Sequence, residues 1–62
     1  MNYHQAYRYY RRAANHGIVI AQFALSMCYD MGRGVTRDEM QAVYWRQKAM
    51  TNPQLLLSEG VF

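Results

Sequence analysis

Residues 5–14, QAYRYYRRAA, return as QAVYWRQKAM at residues 41–50. Ala6 and Ala42, Tyr9 and Trp45, and Ala13 and Ala49 each stand 36 positions apart. A fixed spacing of that size marks a helical array, whose units are too small to bury an apolar face alone and must stack on a neighbour. Arrays of this kind bind other molecules and need no reaction centre.

Working outward from the repeat, helical spacing places Ala6, Tyr9, Tyr10, Ala13 and Ala14 on one side of a helix over residues 3–15, with Gln5, Arg8, Arg11 and Arg12 opposite. Gly17 follows, where a left-handed cap residue costs least. A second helix is expected over residues 19–31, carrying Ala21, Leu25 and Cys28 at i, i+4 and i+7, with Ala24 and Tyr29 beside them. Gly32 and Gly34 end it, since glycine reaches positive φ without strain. For the third helix, Thr36 reads as N-cap, Glu39 as its capping-box partner, and Val35 and Met40 as a hydrophobic staple; Asp38 then falls in the first turn. That helix continues through Ala42, Val43, Trp45 and Ala49 to about Met50. In the tail, Asn52 and Pro53 read as a cap and first helical position before Leu55, Leu56 and Leu57, which either cap the last helix or frame a contact.

The chain has 62 residues, 52% hydrophobic and 15% aromatic, which is too rich in core-forming side chains for a disordered segment. A chain this short buries only roughly 60% of its unfolded surface, so stability is expected to be marginal. No apolar run approaches the roughly 20 residues that span a bilayer, and the N-terminus does not resemble a signal peptide. The single cysteine excludes an internal disulfide and fits a reducing cytoplasm. No cofactor is implied.

The formal charge of +3 is carried by Arg8, Arg11 and Arg12, because the other four bases balance the four acids. Arginines among tyrosines are what single-stranded nucleic acid sites use, charge for phosphates and rings for bases. The same spacing, however, turns Tyr9 and Tyr10 toward the packing stripe and leaves the arginines solvated. Packing is therefore the expectation, with a nucleic-acid or acidic-partner patch as the alternative. His4 and His16 stand at opposite ends of one helix with no ligand at metal spacing. Cys28 reads as a small buried residue. Neither Ser26 nor Ser58 has a nucleophile-elbow context, and no catalytic constellation is read.

Ala21-Gln22, Leu25, Tyr29, Gly32-x-Gly34-Val35, Asp38, Gln41-Ala42, Trp45 and Lys48-Ala49 follow in order and spacing the pattern of Sel-1-like repeats, which the chain resembles from about Tyr3 to Met50. The resemblance implies an all-α fold of antiparallel helix-turn-helix repeats, a short α-solenoid fragment of about three helices. It makes residues 3–16 the second helix of a partial repeat, 17–51 one complete repeat, and 52–62 a tail or short capping helix. Ala21, Leu25, Tyr29, Gly32, Gly34, Ala42, Trp45 and Ala49 are its structural positions, with Trp45 wedged between the helices. By the same resemblance the first helix of a repeat lines the partner-facing surface, which points to Gln22, Ser26, Asp30 and Arg33 as contact residues for a protein partner.

Some positions depart from that pattern. Ser26 replaces glycine at the tightest crossing, which predicts a slightly wider one, and Ile18 removes an N-cap. Arg46 and Met50 replace an aromatic residue and an alanine. Starting in mid-repeat implies a truncated array, a remnant, or a module completed by another chain. In the last case Ala6, Tyr10 and Ala13 would pair across a symmetric dimer.

Overall fold

The computed structural model describes residues 2–53, which form three α-helices and, among the described residues, no strand. They are α1 (Tyr3–Asn15), α2 (Val19–Met31) and α3 (Glu39–Met50), arranged as antiparallel helix-turn-helix units in an all-α fold. The expectations for Leu55, Leu56, Leu57 and Ser58 lie outside the described residues. Pro53, the last described residue, is helical and follows Asn52.

Each helix end has a local cause. The Asn2 side chain caps α1 by accepting from the Gln5 amide at 3.2 Å. At its other end the Gly17 amide donates to the Ala14 carbonyl and the Ile18 amide to that of Ala13, with Gly17 at φ 83°. This is a Schellman closure, and it turns the chain into α2 within three residues. Ile18 offers α2 no side-chain cap, as its apolar character requires. Gly32, left-handed at φ 67°, stops α2, its amide and that of Arg33 both donating to the Cys28 carbonyl.

The start of α3 differs from the sequence expectation. Thr36 lies outside the helix, and Asp38 is the N-cap, extended at φ −148° with its carboxylate accepting from the Gln41 amide at 3.3 Å. The reason is tertiary: the Asp38 amide donates to the Tyr29 carbonyl at 3.0 Å, which holds residues 35–38 out against the end of α2 and delays the helix. Asn2 and Gln5 make the same cap 36 residues earlier, so the capping device repeats with the period.

The loop also reaches back to α1. Gly34 has φ 75°, and a Cβ there would strike the Tyr3 carbonyl, its carbon lying 2.6 Å from the added atom. Only a residue without a side chain allows this approach.

Helix α2 packs against both α1 and α3. Leu25 is fully buried and clusters with Ala14, Ala21 and Trp45, ringed by Tyr7, Tyr10, Ala13 and Tyr29. Ala42 and Ala49 are also fully buried on α3. Small residues on α3 and α2 let the helix axes approach, and Trp45, 8% exposed, fills the remaining space. The Lys48 ammonium sits 5.2 Å from the centre of that indole ring, on the solvent side.

Between α1 and α2 the hydroxyls of Tyr7 and Tyr29 are hydrogen bonded at 2.9 Å and their rings meet edge to face at 5.7 Å. Burial, followed by the hydrogen bond to Tyr7, pushes the Tyr29 phenol up to about 12 from its ordinary 10. A phenol whose pKa rises on folding favours the folded state while neutral. That contribution is complete below about pH 10, the unfolded value, and is lost as pH rises through the folded value.

Three measurements check this packing. Trp45→Ala should remove about 3 to 5 kcal/mol, comparable to the whole stability of a chain this size, and abolish the helical circular dichroism. Asp38→Ala should cost about 1 kcal/mol in urea denaturation while Thr36→Ala leaves the midpoint unchanged. In an ultraviolet titration one tyrosine should ionise late, and Tyr7→Phe should bring that late ionisation to lower pH.

Candidate functional site

The four residues expected to face a partner divide in the structure. Gln22 is 1% exposed and Ser26 3%, so neither offers a contact, and the expectation for these two is corrected. Gln22 instead joins three parts of the chain: its amide donates to the Ala14 carbonyl at 3.2 Å, and its oxygen accepts from the Asn52 amide at 3.2 Å. The Asn52 amide also donates to the Gly17 carbonyl at 2.9 Å, which ties the end of α3 to the first turn. Ser26 donates to the Phe23 carbonyl one turn back at 2.6 Å and packs as a small residue in the helix pairing.

Asp30 and Arg33 are exposed. The Asp30 backbone carbonyl accepts from the Arg37 guanidinium at 3.0 Å, and the Arg33 guanidinium lies 5.2 Å over the Tyr3 ring. Both groups therefore stand around the glycine loop at one end of the helices.

The correction has a geometric cause. Because α2 is covered by α1 on one flank and α3 on the other, its buried arc extends from Ala21, Leu25 and Cys28 across Gln22, Ser26 and Tyr29. What remains outside is apolar: Ile20 is 80% exposed, Met27 and Met31 are each 51% exposed, and Phe23 is exposed beside them. These residues form a second apolar series at spacings of three and four. Sequence reasoning missed it because a helix was assumed to bury one stripe; a helix apolar at two phases was the available signal.

Alongside this series runs a groove of about 210 Å³ between the two helices. Tyr3, Ala6 and Tyr10 line it from α1, Ala24, Met27 and Cys28 from α2, and Arg33 closes one end. Cys28 is buried at its floor, and burial raises the thiol pKa against the opposing pull of Arg33. The thiol is thus held in its unreactive form. Ala6, Tyr10 and Ala13, expected at a dimer face, are half-buried; Tyr10 and Ala13 pack on the core cluster.

The three arginines of α1 do not act as one patch. Arg8 and Arg12 share a shallow depression with Gln5 and Tyr9, whereas Arg11 lies close enough to Tyr29 to lower its pKa. Tyr9 is 69% exposed and stands edge to face with Tyr10 at 5.8 Å, next to the groove. His4 and His16 are exposed at opposite ends of α1. Among the described residues, no three of His, Cys, Asp and Glu come together as a metal could use them.

Among the described residues, no helix is long and apolar enough to cross a membrane. No curated protein and no solved structure matches the chain. The Sel1 repeat pattern matches residues 2–18 and again 19–50, the second match spanning α2, the glycine loop and α3. This is a helical repeat of the type that mediates protein contacts, and the chain belongs to the Sel1 repeat family.

Proposed function

We propose that the chain is a non-catalytic docking module, acting in the cytoplasm, that engages another protein through the apolar groove between α1 and α2. One observation carries this reading: the outward face of α2 presents Ile20, Met27 and Met31 to solvent beside that groove, each at least half exposed. Leaving such side chains in water forgoes about 1.5 to 3 kcal/mol apiece, and a contiguous apolar strip on a small protein marks a contact surface. Methionine suits the task because its unbranched, polarisable chain adapts to the shape it meets. Asp30 and Arg33 flank the end of the strip and act as its polar rim. In this reading residues 3–16 complete one unit and residues 17–51 form the next. The reactive side chains are committed to structure, Cys28 in the groove floor and Ser26 in the helix pairing, which supports a binding role.

A photo-crosslinking residue placed at position 27 tests the proposal in living cells. It should give a discrete adduct that disappears on adding Ile20→Glu, while the same residue at position 39, on α3, gives none. Equal labelling from both positions, or adducts insensitive to Ile20→Glu, would overturn it.

A further inference from the structure

We infer that the partner presents an acidic amphipathic helix, its apolar edge seated on Ala6, Tyr10, Ala24 and Met27 and its carboxylates over Arg8 and Arg12. The inference rests on the docking role of the groove and adds the chemistry of what fills it.

The shape comes first. Ala6 and Ala24 face the groove from opposite walls, and their small side chains leave room for leucine-sized side chains between Tyr10 and Met27. A helix laid between two helices meets side chains at the same spacing of three and four on both sides.

Charge then decides the kind of helix. The thirteen residues of α1 include no acid, so Arg8 and Arg12, one turn apart, repel each other with no carboxylate on their own helix to offset them. A row of carboxylates on the partner relieves that repulsion. Tyr9 lies between the arginines and the groove, with an apolar ring for the partner's stripe and a hydroxyl at the polar margin. Arg33, held over the Tyr3 ring, puts a further cation at the groove's end.

The same observations disfavour two other occupants. Single-stranded nucleic acid needs successive open rings, yet Tyr7 is hydrogen bonded to Tyr29, Tyr10 packs on the core and Tyr3 lies under Arg33, which leaves Tyr9 alone. A second copy of this chain would bring the same acid-free, arginine-bearing helix to the site.

The test uses the full chain and synthetic helical peptides of about 18 residues, or five turns. Each carries a leucine stripe at spacings of three and four, flanked by glutamate, glutamine or lysine, and binding is read by fluorescence anisotropy. The glutamate peptide should bind about tenfold more tightly than the glutamine peptide, as expected for two exposed charge pairs. That advantage should shrink with added salt. Arg8→Glu with Arg12→Glu should erase it and transfer it to the lysine peptide, with circular dichroism unchanged because both positions are exposed; Arg8→Gln with Arg12→Gln should erase it without the transfer. If the glutamate and glutamine peptides bind alike and Met27→Glu abolishes both, the acidic partner is refuted and the groove stands. If no peptide binds, or Met27→Glu leaves binding intact, the groove fails as well. Binding of polyuridine that is lost with the two arginines, in the absence of peptide binding, would replace the protein partner by nucleic acid.

Discussion

Helix α2 is covered on two flanks at once, and the rest of the structure follows from that constraint. Leu25 and Ala21 meet α1 and Trp45 in a single cluster, while Ser26 and Cys28 keep the arc narrow enough for neighbours to approach. Few large apolar side chains are enclosed, and much of the contact is made by alanines. In so small a core the indole of Trp45 supplies a large share of the area removed from water. The two helix pairs therefore have no separate stability to fall back on.

Polar groups make this packing specific. Gln22 and Asn52 link the Ala14 and Gly17 carbonyls to the end of α3, satisfying groups at the first turn that would otherwise be enclosed without partners. At the opposite end Gly34 lies on the start of α1, and Arg33 covers the Tyr3 ring. Both ends of the bundle are thus fastened by contacts between residues distant in sequence. Between them the Tyr7–Tyr29 hydrogen bond joins α1 to α2.

Covering α2 on two flanks leaves its third side to solvent, and that side is the apolar one. The docking surface is therefore the part of the repeat packing that no described residue covers, bordered by the arginines of α1. The polar residues that sequence reasoning assigned to a partner are instead the ones used internally. In a helix held between two others, a short polar side chain with a nearby carbonyl is as serviceable inside as an aliphatic one.

The 36-residue spacing, the glycines at 17, 32 and 34 and the apolar periodicity were enough to define three helices, two of them with the bounds observed, and the family they belong to. These are properties of neighbouring residues: a helix repeats every 3.6 residues and a left-handed turn favours glycine wherever the chain goes next. The structure alone decided that Asp38 and not Thr36 caps α3, that Gln22 and Ser26 lie inside, and that Arg11 parts from Arg8 and Arg12. Each of those outcomes depends on where a second helix sits. Periodicity tells which residues share a face, whereas the direction and width of the buried arc are set by the neighbours packed against it.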